Sequence, residues 1–336
     1  MKRIIRENPI KVTIAFLCFV SVIGISFWSY YAPVSATNWN RGEISRIKVG
    51  SPDNFAFAVF GDNKGNSSFF GPLLRDIERD KDIAFAIDIG DLVADGKRSQ
   101  YCRFLEQVRA NLSIPFLTAT GNHDFNNGFD NYASIFGPTY YAFQAGSYSF
   151  IVLDATNDSG FDKTQRQWLE DELKKAQDAK PRFILMHIPP FDPRGSGSYL
   201  PEKERNDLQE LFTHYRVTHL FTSHIHGYFS GLWGGVPYTI SGGAGARLQG
   251  SDPQHFFHHY VKVRVDNGKV EVTVKRIGAE NAIGLLYSLT KYHLLEAGLI
   301  LGFGISVITL WPSVRRKPGR GERMRGSIAL NKRQDT

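Results

Sequence analysis

The chain has 336 residues, with 40 Lys and Arg against 33 Asp and Glu, a formal net charge of +7. A hydrophobic share of 42% with 13% aromatics excludes a disordered chain, and 32 Gly with 15 Pro without period exclude a collagen-like one. Cys18 and Cys102 are too few for a disulfide scaffold or a cysteine-built zinc module.

The surplus charge sits at the two ends. Residues 1–11 carry Lys2, Arg3, Arg6 and Lys11 against Glu7, a local +3. The tail, residues 312–336, carries eight Lys and Arg against Glu322 and Asp335, a local +6, which leaves −2 for the body. A body of that sign does not attract a phosphate backbone, so no nucleic-acid partner is expected.

Each basic end abuts an apolar run. Residues 12–31 hold no charge and end in Trp28, Tyr30 and Tyr31, as a membrane helix with an aromatic belt would. A removable signal peptide is the alternative, because Val34-Ser35-Ala36 is a passable cleavage site. Residues 292–311 form the second expected span, broken only by Glu296, with Arg315-Arg316-Lys317 following. The positive-inside rule then sets both termini in the cytoplasm of a plasma membrane or its equivalent and the intervening domain outside it.

Between the spans, residues 32–54 read as a polar juxtamembrane linker. Short apolar runs follow at 55–60, 83–89, 115–120, 182–186 and 219–222, each with the length and composition of a strand. Helices are predicted over Thr164–Lys180 and Pro201–Tyr215. A hairpin is predicted from 260–265 and 270–277 around Asp266-Asn267-Gly268-Lys269. Residues 278–291 read as a second linker. The domain at 55–277 is therefore α/β first and hairpins last.

The five early strands end in Gly61-Asp62, Gly90-Asp91, Gly121-Asn122-His123-Asp124, His187, and Ser223-His224-Ile225-His226. In open α/β sheets ligands gather at the carboxyl ends of strands. Carboxylate, amide oxygen and imidazole at one such edge suit hard and borderline divalent cations.

On these five blocks, in this order, the chain resembles the calcineurin-like metallophosphoesterase family. The resemblance covers residues 55–277 and implies a β-sandwich flanked by helices, here between N- and C-terminal transmembrane helices. It also implies two divalent metal ions, of Mn, Fe or Zn, bridged by Asp91. Asp62 and His226 would hold the first, and Asn122, His187 and His224 the second. The implied reaction is hydrolysis of a phosphoester by metal-activated hydroxide, with His123 as proton donor. Asp95 or Asp124 could orient that imidazole, and both stay open.

The departure is Lys64, where the family pattern Asp-x-His would supply another ligand. Its ammonium could point at the substrate phosphate or face solvent beside a weakly held metal, or the site could have lost one metal. Arg194, in the Gly/Ser/Pro-rich loop 192–199, is a substrate-binding candidate. His255, His258 and His259 read as structural. A purple acid phosphatase would carry a tyrosine ligand three positions after Asp91, where Ala94 stands. A protein Ser/Thr phosphatase would carry Asp-Arg-Gly and Gly-Asn-His-Glu, where this chain has Ala94-Asp95-Gly96 and Asp124. Tethering to a membrane suggests a lipid-linked or cell-envelope phosphate as substrate. The alternative is a catalytically weakened phosphate-ligand binding protein with a degenerate first metal site.

Overall fold

In the computed structural model, which describes residues 9–31, 36–156, 160–175, 181–195, 199–280, 302 and 304, the elements follow the chain closely. Helix α1 is Pro9–Tyr31 and α2 is Trp39–Arg46. Next come β1 (Asn54–Phe60), α3 (Ser67–Arg79), β2 (Ile83–Asp88), α4 (Arg98–Asn111) and β3 (Phe116–Thr118). After a 3-10 turn at Asn122–Phe125 and α5 (Phe129–Phe136), the hairpin of β4 (Tyr141–Ala145) and β5 (Tyr148–Val152) opens the second half. It continues through α6 (Lys163–Lys175), β6 (Arg182–Leu185), α7 (Glu202–His214) and β7 (His219–Thr222). Two hairpins close it: β8 (Tyr228–Trp233) with β9 (Val236–Ser241), and β10 (His259–Asp266) with β11 (Lys269–Arg276).

The strands make two sheets, one ordered β11-β10-β1-β2-β3 and the other β4-β5-β6-β7-β9-β8. Alternation along β1 explains why they stack. Phe55, Phe57 and Val59 point to one side and meet Phe85, Phe150, Phe183 and Phe221 between the sheets. Ala58 and Phe60 point to the other and lie under Phe70, Leu73 and Leu74 of α3 and Phe104 of α4. A third apolar cluster seats α6 and α7 on the outer face of the second sheet through Leu169, Leu173, Leu208 and Phe212. This is a helix-flanked sandwich, and β1, β2 and β3 run parallel, as do β5, β6, β7 and β9. Both parallel sets deliver their carboxyl ends to the same edge.

The predicted hairpin forms, with Asp266 paired to Lys269 and positive φ at Asn267 and Gly268. Sequence reading placed no helix at α3 or α4. In α3 the Gly71-Pro72 step reads as a break, yet it lies inside the helix, whose apolar side chains still face inward.

The linker expected at 32–54 needs correction. Its α2 docks on the edge strand β3 and supplies the partners that a further strand would. Glu43 accepts from Phe116 N–H at 3.1 Å, and Trp39 Nε1 donates to Phe116 O at 2.8 Å. Asn40 accepts from Thr118 N–H at 2.9 Å and donates to Thr118 O at 3.1 Å. Polar side chains thereby close an edge that would otherwise invite pairing with another chain.

The chain divides into two compact units, Met1–Ser29 with Tyr287–Thr336, and Tyr30–Leu286. In the first, Ile10, Ile14, Phe16, Leu17, Phe19, Val20 and Ile23 of α1 are exposed. Taken over the described residues, no helix is long and apolar enough to cross a membrane. The expected second span lies outside them apart from Gly302 and Gly304, as do residues 1–8, 281–291 and 312–336.

Candidate metal centre

Three of the loops that leave the shared edge turn sharply. Asp62, Lys64, Asp91 and His224 all have positive φ, at 62°, 49°, 57° and 66°. Non-glycine residues take that conformation only when the surroundings enforce it, and such strain clusters at functional sites. Here main-chain bonds enforce it. Asp62 N–H donates to Gly90 O, Lys64 N–H to Asp91 O, and His224 N–H to the carboxylate Oδ2 of Asp62 at 2.7 Å. Gly121 and Gly242 make the closeness possible. A Cβ at Gly121 would collide with the Asp91 carboxylate, and one at Gly242 would stand 2.7 Å from Asp62 Oδ2.

The side chains converge as the strand ends predict. One atom each of Asp62, Asp91 and His226 lie within 4.8 Å of one another. His226 Nε2 is 3.2 Å from Asp62 Oδ1, and His187 Nε2 is 3.3 Å from Asp91 Oδ1. Asn122 Oδ1 faces His187 Nε2 at 3.2 Å and His224 Nδ1 at 3.1 Å. Asp62, Asp91 and His187 are essentially sealed from solvent.

The tautomers explain what these contacts mean. His226 Nδ1 sits 2.6 Å from Arg247 O, and a carbonyl can only accept, so the hydrogen is on Nδ1. His187 Nδ1 lies 2.9 Å from Ser223 Oγ and 3.1 Å from Ile89 O, while the serine hydroxyl donates to that same carbonyl. Its hydrogen is on Nδ1 too. In the neutral ring the Nε2 of each then presents a lone pair toward oxygen acceptors. Asp62 Oδ1 is buried and has no hydrogen-bond partner despite the nearby imidazole. Acceptors facing acceptors in a largely buried site are relieved by a proton or by a cation, and this donor set fits a pair of divalent ions. A second-ring nitrogen fixed on a carbonyl is the usual support for a metal-ligating histidine.

The electrostatics favour an ionised Asp62 and a neutral His224. His226, beside Asp62, instead holds its proton more strongly than a free imidazole and would have to give it up to a cation. Burial alone would raise the Asp62 carboxyl, but its contact with His226 and the charges of His187, His226 and Lys64 hold it below the usual carboxylate range. Burial, with the His187 charge, pulls His224 down to about 4, which keeps it neutral and ready to ligate. Burial opposes protonation of His226 as well, but the neighbouring Asp62 lifts it above its ordinary value.

His123 stands apart from this set. Its Nδ1 is held 2.8 Å from Ala94 O and its Nε2 lies 3.9 Å from Asp91 Oδ2, with about a third of the side chain exposed (35%). Neither predicted orienting carboxylate touches the ring. Asp95 contacts Lys97 and Gln100 instead. Asp124 is fully buried and accepts from the N–H groups of Gly121, Asp91, Leu92 and Val93 and from the Tyr101 hydroxyl. It ties the second and third loops together; burial, with the Asp91 charge, pushes its carboxyl up to about 8. A backbone carbonyl, which sequence cannot advertise, does the orienting.

Lys64 reaches the centre, with Nζ 3.2 Å from Asp91 Oδ2. Arg194 does not. Its guanidinium pairs with Asp192 at 2.7 Å and donates to Tyr199 Oη at 2.7 Å and Gln249 Oε1 at 3.2 Å. Tyr199 in turn meets His224 edge-on at 5.0 Å, so Arg194 braces the rim of the site. Ser223, Tyr199 and Gln249 carried no sequence signal of these roles beyond their closeness to ligand positions. His255, His258 and His259 each bond a backbone carbonyl, and among the described residues no metal group includes them.

Comparison with known proteins bears on the same stretch. Residues 55–228 match the family described as calcineurin-like phosphoesterase. A probable cyclic nucleotide phosphodiesterase of Rhodopseudomonas palustris is 30% identical over 177 residues, which cover 48% of this chain and 64% of that protein. Purple acid phosphatase 23 of Arabidopsis thaliana is 29% identical over 143 residues, covering 38% and 31%. The chain thus spans less than two thirds of the length of either relative. Among solved structures, a purple acid phosphatase from yellow lupin seeds superimposes with a TM-score of 0.54 at 19% identity, over 66% of this chain and 51% of that one. Purple acid phosphatases are therefore among the proteins this chain is similar to, although Ala94, whose carbonyl holds His123, stands at the position expected for their tyrosine ligand.

Proposed function

Because the chain belongs to the calcineurin-like phosphoesterase family, we propose that it hydrolyses a phosphoester at this edge, using a dinuclear centre. Calcineurin-like enzymes use such a centre; a pair of divalent ions supplies a nucleophile at neutral pH and clamps an in-line displacement at phosphorus. Asp62 and His226 would hold one ion, Asn122, His187 and His224 the other, and Asp91 would bridge them. The observation that carries the reading is the convergence of His187, His226, Asn122 and two buried carboxylates on one largely buried site. His123 keeps one ring nitrogen on Ala94 O and has the other 3.9 Å from Asp91 Oδ2 on a half-buried side chain, where it can pass a proton to the leaving oxygen.

The test is hydrolysis of p-nitrophenyl phosphate and bis-p-nitrophenyl phosphate by the full chain with Mn²⁺, alongside lipid phosphates in mixed micelles. His123→Asn should lower turnover by about 10²–10⁴-fold at unchanged metal content. Wild-type protein that binds metal without turning over any ester would instead favour a phosphate-binding protein, a reading that the Lys64–Asp91 contact supports.

The membrane setting belongs to the same proposal. Its support is the exposed apolar row on α1 and the segregation of basic residues to the termini. Both termini would be cytoplasmic and the domain would work outside, on a lipid-linked or cell-envelope phosphate. Turnover confined to soluble esters would remove the lipid-linked substrate.

A further inference from the structure

The first metal position offers three protein donors, Asp62, Asp91 and His226, and an ammonium already stands among them. Lys64 Nζ lies 3.2 Å from Asp91 Oδ2, and its side chain is 20% exposed against 1% for Asp91. The lysine has little freedom to leave. Its N–H is bonded to Asp91 O at 2.9 Å, its φ is 49°, and Gly65 N–H closes the turn on Asn63 Oδ1 at 2.8 Å. The Cα is therefore pinned beside the bridging carboxylate, and only the side chain can swing. The same charge is felt by Asp62 and His226, the other two donors of that position.

We infer that Lys64 is the resident cation of the first metal position, and that a divalent ion enters there only by displacing its ammonium from Asp91. This rests on the functional reading above. An ammonium cannot share a carboxylate oxygen with a dication at contact distance without strong repulsion, because like charges in a buried site are weakly screened. The position should therefore fill at distinctly higher metal concentration than the one built from Asn122, His187 and His224. Activity that needs both ions would then follow the free metal concentration over a range set by Lys64.

The experiment is equilibrium binding of Mn²⁺ to the full chain, with bound metal counted per chain, for wild type, Lys64→Met and Lys64→Arg. Wild type should show one tight and one weak ion. Lys64→Met should tighten the weak ion by about tenfold or more, which equals about 1.4 kcal/mol, and leave the tight one unchanged. Lys64→Arg keeps the charge and should stay weak. As a second measure, Mn²⁺ should raise the melting temperature of Lys64→Met more than that of wild type. Identical isotherms for wild type and Lys64→Met would overturn the inference while leaving a two-metal hydrolase standing. Absence of Mn²⁺ binding in all three would overturn the functional reading and the inference with it.

Discussion

Replacing Asn40 by alanine tests whether α2 is part of the domain. The residue is 2% exposed, and its amide makes two bonds to the backbone of Thr118 on the outer edge of β3. Thr118 O would keep partners, because the hydroxyls of Tyr132 and Tyr141 also donate to it at 3.1 and 2.9 Å. Thr118 N–H would be left buried without its acceptor. The orphaned donor costs about 1–3 kcal/mol, and the lost bond to Thr118 O adds about 1 kcal/mol. A total near 3 kcal/mol is a large part of the 5–15 kcal/mol that a domain has (order of magnitude, ~10 kcal/mol). With a urea m-value of about 3 kcal/mol/M, the unfolding midpoint should fall by about 1 M. Urea unfolding followed by tryptophan fluorescence measures it. A fall of less than about 0.3 M at unchanged m would refute the idea that α2 closes the edge of β3.

Two further predictions concern groups near and far from the site. Asp124→Ala removes the acceptor of four backbone N–H groups on the loops that carry Asp91 and His123; it should cost about 3 kcal/mol of stability and lower bound metal, and full metal content at wild-type stability would count against it. His219, stacked on Phe221 and 2.9 Å from Thr239 Oγ1, is pulled down by burial to about 4. The unfolded chain binds its proton near pH 6.5 and the folded one only near pH 4, so stability is full above 6.5 and falls as pH drops through that window. The loss is about 3 kcal/mol at most; His219→Gln should flatten the acid limb of the melting curve between those pH values, and an unchanged limb would exclude His219 as its source.

The convergence of the candidate residues was readable because parallel strands leave little choice. A short apolar run ending in a polar residue fixes where Asp62, Asp91, Asn122, His187 and His224 must emerge, and the sandwich brings those ends together. The supports were not readable. Ala94 O, Ile89 O and Arg247 O position three imidazoles, and a carbonyl has no letter in a sequence. Residues 32–54 read as a linker because Trp39, Asn40 and Glu43 are mostly polar, and polar residues buried against an edge strand look like solvated ones. Asp124, next to His123 in sequence, reads as one of two candidates to orient that ring, whereas it accepts from four N–H groups of two loops. Lys64 stands out in the sequence as a lysine where the family pattern has histidine, and its contact with Asp91 depends on the positive φ of its loop.

The two sheets meet at this edge partly through the residues that would hold the ions and partly through their neighbours. Gly61 N–H, leaving β1, bonds Ser241 O at the end of β9, and Ala244 N–H returns to Gly61 O. His187 of the second sheet hangs on Ile89 O of the first, and His224 N–H on Asp62 Oδ2. Prising this seam apart would scatter the donor set, and filling the donor set would hold the seam shut. Amide hydrogen exchange at Gly61, His224 and Ala244 should therefore slow on metal addition, a readout of occupancy that needs no substrate.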